Sequence, residues 1–360
     1  MGLADHFVTG GAGFMGGHLL AALVGRSDAG RIHALARSSN EASAHARVLA
    51  TLGDRGAAAG ERLRVFDGDV TRADCGLGGA DIEQAARGGL PLVFWHLAAS
   101  LRWEAGRRQS VFEANVDGTR NAMALARRVG ADLFVHVSTA YTCGSIEGDI
   151  PEAIHSPPAF NNVYEESKGA AERYVVSQGE GGPRGLILRP SIIVGSSQTY
   201  APAGSYTGLY GMLSELRRFK KMLGDSQEVV RLSAKPSAVL SFIPIDHVIQ
   251  DALAAVDGEL REPTRQIYHL TSDGGPNIGE QIDHIFSRLG LGGQIELVDG
   301  AIDGKTPLER FFARRMEFFS GYLRSTKRFA RSIATPRSVS LADMKRYIDR
   351  ELGADSHDHE

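Results

Sequence analysis

The chain has 360 residues, 42% hydrophobic and 23% charged, with a formal net charge of −3. Those values suit one large globular domain or two closely packed ones and exclude a global field for nucleic acid or anionic membrane, and no apolar run reaches the roughly 18 residues of a membrane span. Two cysteines, Cys75 and Cys143, make no disulfide framework, and no basic segment with a cleavage site opens the chain, so the expectation is a protein of the reducing cytoplasm.

In chain order, HFVTG (6–10) reads as a strand and 13–24 as a helix. Strands at 31–36, 62–70, 92–99, 132–141 and 185–195 then alternate with helices at 43–52, 82–87, 111–129 and 163–177. Apolar strands alternating with helices predict an α/β fold, a Rossmann-type doubly wound parallel sheet covered on both faces. After Gly195 the alternation stops. A Ser/Gly/Tyr-rich stretch and a basic helical run at 217–221 follow, then strand-and-helix at 241–256, a strand at 265–272 and a helix at 277–290. The pattern predicts a dinucleotide-binding domain from 1–195 plus about 237–262, and a smaller, discontinuous substrate lobe from 196–236 plus about 263–350. A disordered tail is expected at 351–360, where His357, Asp358 and His359 in a frayed end make no metal site; no metal is expected elsewhere.

VTGGAGFMGGHLL (8–20) joins the first strand to the first helix, with Gly10, Gly13 and Gly16 spaced G-x-x-G-x-x-G. Glycines there allow a sharp turn and let a pyrophosphate approach the N–H groups of Phe14 and Met15 at a helix N-terminus. An NAD site carries an acidic residue about 20 positions on. Here Arg37 stands there, followed by Ser38, and a guanidinium suits a 2′-phosphate, so NADPH is the expected cofactor. Asp69 and Val70, Ala98, and Pro190 after the sixth strand complete the expected cofactor set.

VSTAY (137–141) ends the fifth strand at the carboxyl edge, where open α/β sheets bind ligands. The following helix carries Tyr164 and Lys168 four apart, hence on one face. Hydride transfer to a carbonyl requires a proton donor. Tyr164 fits that role, with the Lys168 ammonium and the oxidised nicotinamide expected to lower its pKa and Thr139 to hold the carbonyl oxygen. Glu165 and Glu166 read as solvated helix formers. Ser100, Ser138, Tyr141 and Tyr206 are the candidate substrate contacts.

Together these motifs resemble the extended short-chain dehydrogenase/reductase family, over about residues 5–270. The resemblance makes Tyr164-x-x-x-Lys168 the catalytic pair, Thr139 the catalytic hydroxyl, Lys168 also a ribose ligand, and Asn115 a buttress of the site. HLAASLRWE, NVDGTRNAMALA, RPSIIVGS, FIPIDHV and IYHLTS are similar to the fatty acyl-CoA reductase and thioester-reductase branch. That implies reduction of an acyl thioester, on coenzyme A or a carrier protein, to an aldehyde, and homodimers are common in the family; in departure from the branch no anchoring helix and no adenylation or carrier domain is read here, so a free-standing soluble enzyme is expected. The same catalytic set also serves extended-family epimerases, dehydratases and hydroxysteroid-type dehydrogenases, which stand as the alternative. A cofactor-sensing binding protein is disfavoured because Tyr164 and Lys168 are both present. Two readings of the basic run at 217–221 stand: a receptor for coenzyme A phosphates, or a solvated helix face. Trp103, Tyr200 and Tyr210 could line an acyl pocket or pack in the core, and a nucleophilic Cys143 is disfavoured for want of a paired histidine.

Overall fold

A computed structural model describes residues 4–179, 181–202, 208–224, 226 and 228–354. They fall into two compact units, the first formed by 1–144, 152–190 and 249–269, the second by 145–151, 191–248 and 270–360.

The first unit holds a seven-stranded sheet. Its strands are β1 (Ala4–Thr9), β2 (Ala29–Ala36), β3 (Leu63–Asp67), β4 (Leu92–His96), β5 (Leu133–Val137), β6 (Arg184–Pro190) and β7 (Ile267–Leu270). Their order is β7-β6-β5-β4-β1-β2-β3, and the pairings from β3 through to β6 are parallel. β1 is central and the order reverses there, so ligands are expected outside the carboxyl ends of β1 and β4. Register places Phe7 beside Phe94 and Phe94 beside Phe134. Their rings stack at 4.7 and 5.5 Å across three strands, and such pairs add about 0.5–1.5 kcal/mol each beyond burial. Helix α1 (Phe14–Gly25), α2 (Ala44–Leu52), α3 (Gly118–Arg128) and α4 (Val163–Val176) flank the sheet.

Three boundaries differ from the sequence expectation. The strand expected at 185–195 breaks after Pro190, and Ile192–Val194 pairs instead with Phe242–Pro244. Residues 191–195 and 237–248 therefore gather with the second unit rather than with the dinucleotide domain. Conversely, β7, expected in the substrate lobe, is the sheet's edge strand beside β6, with Ile187 donating its N–H to Gln266. Finally, residues 351–354 continue the helix Leu341–Ala354 and are not part of a tail.

The second unit contains short parallel pairs, Val230–Ser233 with Ile295–Val298 and Gly148–Ile150 with Lys327–Phe329, among helices that include Leu209–Leu223, Pro307–Arg315 and Leu341–Ala354. Phe219 and Phe312 pack with ring centres 4.3 Å apart. A Thr306–Glu309 capping box starts the helix Pro307–Arg315. Among the described residues no helix is long and apolar enough to cross a membrane, and no cluster could hold a metal ion.

Candidate active site

β1 must turn into α1 within four residues, and hydrogen is the side chain that permits it. Gly10 has φ +73°, and a Cβ there would lie 2.8 Å from the Ala98 nitrogen; a Cβ on Gly16 would lie 2.1 Å from the Gly10 carbonyl oxygen. α1 begins at Gly13 with no side-chain cap and no acidic residue in its first turn. The N-terminus that includes Phe14 and Met15 thus keeps its partial positive charge for an anion. Beside it lies a cleft of about 640 Å³, and of the expected cofactor residues Gly10, Gly13, Arg37, Asp69, Val70 and Ala98 line it. Phe14, Met15 and Gly16 sit behind the rim in α1, Ser38 stands at the end of β2, and Pro190 is buried at the end of β6. An uncapped helix end, a glycine turn and a cleft with cationic walls fit a dinucleotide.

The rim is charged and wet. Arg37 is 69% exposed, with a loose 3.4 Å contact to Asp69. Asp69 also accepts from the Thr71 N–H and hydroxyl at 2.9 Å; burial raises its pKa, but these bonds and Arg37 together outweigh that and lower it. Ser38 is held by Asp67, which accepts from its N–H at 2.9 Å and its hydroxyl at 2.6 Å. Two cleft arginines escape a motif reading, Arg47 and Arg102. Arg47 on α2 donates to the Arg37 carbonyl, which brings a second cation to the position expected for the 2′-phosphate. No spacing rule points ten residues past Arg37 and across a loop.

At the carboxyl edge of β5, Thr139 opens a short turn (Ala140–Cys143) and its hydroxyl accepts from the Tyr141 N–H at 3.3 Å. A hydroxyl that accepts this bond keeps its own proton for a carbonyl oxygen. Ser138 Oγ is buried without a hydrogen-bond partner among the described residues. α4 starts at Asn162, whose side chain caps the Glu165 N–H. Lys168 is 2% exposed, and its Nζ donates to the Val137 carbonyl at 2.6 Å, fastening the Tyr-Lys face of α4 to the strand end that carries Ser138 and Thr139. Burial lowers its pKa to about 8, opposed by the Glu172 carboxylate.

Asn115 lies in a π-helical turn, Glu113–Asp117, just before α3. Its amide oxygen accepts from the Ser100 N–H at 2.6 Å, and its nitrogen donates to the Ser100 carbonyl and the Ser167 hydroxyl, each at 2.9 Å. It therefore joins the cleft wall at Ser100 to α4. A second chain runs behind it: Thr119 donates to the Asn115 carbonyl at 2.6 Å, while His96 bridges Thr119 at 3.1 Å and Thr9 at 2.9 Å. Burial, then the Lys168 charge, lowers His96 to about 3, so it is a neutral linker. Thr9, Thr119 and Ser167 are missing from a sequence reading because their partners lie 87, 23 and 52 residues away.

Several expectations are corrected. Among the protein's own groups the Tyr164 phenol is pushed up rather than down, by burial first and then by Glu165 and Glu172. The ammonium that was to lower it is turned to Val137. Glu165 is fully buried, accepting from the Asn161 N–H and side-chain amide at 3.0 Å beside the N-terminus of α4, so it is a structural anion and no solvated residue. Glu166 pairs with Arg108. Tyr141 is buried and its phenol pushed upward. In the second unit, Tyr210 accepts from the Gly195 N–H at 2.8 Å, and Tyr200 donates to Asp343 at 3.1 Å. Arg217, Arg218 and Lys220 of the basic run reach Glu351, Glu215 and Gln294 respectively. Tyr206 and the 357–359 triplet lie outside the described residues.

The male sterility protein family profile, an NAD-binding family, matches residues 8–252. The chain belongs to this family. It is thus an extended short-chain dehydrogenase/reductase, an oxidoreductase whose cofactor is a nicotinamide dinucleotide. L-2-aminoadipate reductase of Saccharomyces cerevisiae is 26% identical over 315 residues, 81% of this chain and 21% of that one. A 3 beta-hydroxysteroid dehydrogenase/Delta 5-->4-isomerase of Mycobacterium tuberculosis is 32% identical over 199 residues, 52% of this chain and 47% of that one. The matched stretches therefore span less than half of these curated relatives. Among solved structures, the terminal R domain of the myxalamid PKS-NRPS pathway shares the fold at TM-score 0.74 and 21% identity, covering 99% of this chain and 93% of that one.

Proposed function

We propose that the protein is an NADPH-dependent reductase that converts an acyl thioester, on coenzyme A or a carrier protein, into an aldehyde and a free thiol. One observation carries the chemistry: the Lys168–Val137 bond, which fastens the Tyr164 face of α4 to the strand end bearing Thr139. The branch of the family, the R-domain fold and the aminoadipate reductase relative support a thioester substrate. Arg37 and Arg47 on the cleft support the 2′-phosphate.

The glycine turn and the α1 N-terminus would hold the pyrophosphate, Asp69 the adenine side, and Lys168 the nicotinamide ribose. Bound there, NADPH supplies a hydride. Thr139 donates to the thioester oxygen, and negative charge gathers on that oxygen as the carbonyl carbon becomes tetrahedral. Tyr164, kept protonated by its surroundings, delivers the proton. The hemithioacetal then releases thiol and leaves the aldehyde. Overall, thioester, NADPH and one proton become aldehyde, thiol and NADP.

A second reading, oxidation or reduction at a steroid or sugar-nucleotide carbon, is favoured by the hydroxysteroid dehydrogenase relative and by epimerase-like folds, and it uses the same three residues. The test is NADPH absorbance with acyl-CoA, acyl-carrier-protein thioester, sterol and sugar-nucleotide substrates. Thioester-dependent oxidation with aldehyde release is expected. Turnover confined to a sterol or sugar nucleotide would reverse the choice.

A further inference from the structure

Tyr164, Lys168 and Glu172 follow one another at intervals of four on one face of α4. Glu172 forms an ion pair with Arg189 of β6 in which the side chains are 2% and 0% exposed. The contact is a bidentate fork: Arg189 Nε donates to Glu172 Oε1 at 2.8 Å and Nη2 donates to Oε2 at 2.7 Å. Arg189 Nη1 donates to the Ala153 carbonyl at 2.8 Å and lies 3.4 Å from His269 Nε2 on β7. Glu172 Oε1 is also 3.5 Å from the hydroxyl of Thr142, which in turn lies 3.3 Å from the Thr139 carbonyl. One buried pair therefore meets α4, β6 and the turn that Thr139 opens.

We propose that Glu172 and Arg189 are positioning residues for the reaction, clamping the Tyr164–Lys168 face of α4 against β6 and the Thr139 turn and holding the Lys168 ammonium in its charged form. For its effect on rate the proposal rests on the reductase reading; for the charge on Lys168 it does not. A fully buried ion pair is weak support for stability, since an apolar pair of similar volume often serves as well. Its place in the helix register gives it a different use. Besides Glu172, α4 carries Tyr164, Glu165 and Glu166, the last paired with Arg108; Lys168 acts on His96 of β4 and His136 of β5, Glu165 on Tyr141 in the turn, and Arg189 of β6 and His155 face Glu172. His96 and His136 are held neutral by burial and Tyr141 is held protonated. Glu172 is the anion that opposes the effect of burial on Lys168.

The experiment replaces the pair without stranding a charge, as Glu172→Gln with Arg189→Met, beside Glu172→Asp, which keeps the anion. Lys168 is one of seven lysines in the chain, so its titration can be followed in the full-length protein by carbon-13 NMR of labelled lysine side chains. In the double variant the Lys168 midpoint is expected to fall by about half a pH unit or more, and in Glu172→Asp to stay near the wild-type value. The alkaline limb of kcat/KM should move down with it while the KM for NADPH is unchanged. A folded double variant whose Lys168 midpoint does not move overturns the proposal. A midpoint that moves in a protein that reduces no thioester supports the charge-holding role and counts against the reductase reading instead. If the double variant fails to fold, Arg189→Lys keeps both charges and loses the fork. It should leave the Lys168 midpoint in place and lower kcat about tenfold through misplacement, and an unchanged kcat would overturn the clamp.

Discussion

The two ends of the first unit's site are built differently. At the glycine turn and cleft rim, recognition rests on backbone geometry and on cations in water, such as Arg37 at 69% exposure. At α4, the charges of Glu165, Lys168 and Glu172 are buried to 2% exposure or less, and Lys168 and Glu172 are tied into strands. Removing a wet charge changes an interaction worth about 1 kcal/mol or less, whereas breaking a buried pair costs several. The rim should therefore tune which dinucleotide binds, and α4 should decide whether reaction occurs at all.

The sharpest way to break that contrast is Tyr164→Phe. It should lower single-turnover NADPH oxidation by about 10²–10⁴-fold, with NADPH affinity by fluorescence titration nearly intact. Wild-type turnover in this variant would move the proton donor elsewhere. Next in size is Gly16→Ala. Its Cβ would fall 2.1 Å from the Gly10 carbonyl oxygen, so the turn must shift. Overpacking of this kind costs about 1–3 kcal/mol, and NADPH and NADH should weaken together by tenfold or more. Selective loss of NADPH would contradict a purely geometric role.

What could be read from the chain follows the same division. The glycine turn, Arg37 and the Tyr164–Lys168 spacing are local, so period and offset reveal them. Glu165 misled because its carboxylate is claimed by Asn161 in the preceding loop, and helix propensity carries no information about that. Glu172 and Arg189 are 17 residues apart on different elements, and although Arg189 opens RPSIIVGS, no spacing joins it to Glu172. Residues 185–195 look continuous in the sequence because Ile192–Val194 is equally apolar; its pairing with Phe242–Pro244 separates it.

Burial also sets a pH response. His33 lies between Phe7 and Phe66 with both ring nitrogens unpartnered, and burial lowers its pKa from 6.5 to about 4. Above pH 6.5 neither the folded nor the unfolded state protonates it. Below 6.5 the unfolded chain takes up the proton first, so stability falls from pH 6.5 down to about 4. At pH 5 the loss from this group is about 1–2 kcal/mol. The urea midpoint of His33→Phe should decline less between pH 7 and 5 than that of wild type. Parallel declines would assign the acid sensitivity to the other histidines whose pKa burial lowers, His6, His96, His136 and His155.

The smallest expected effect tests the rim itself. Arg37→Ala and Arg47→Ala should each weaken NADPH by about tenfold or less while leaving NADH within about twofold, because only NADPH has a 2′-phosphate to lose. The two cations share one region, since Arg47 donates to the Arg37 carbonyl. The double variant should therefore fall short of the product of the singles. Both effects should shrink as salt rises from 0.05 to about 0.5 M, since exposed charges are screened over roughly a Debye length. Asp69 sharpens the point: it already contacts Arg37 at 3.4 Å, so Asp69→Asn should free that guanidinium and strengthen the preference for NADPH unless the adenine side depends on the carboxylate. Equal loss of both dinucleotides in Asp69→Asn would assign Asp69 to adenine. A gain confined to NADPH would make it a brake on Arg37, and the wet rim would then be tuned by one residue pair.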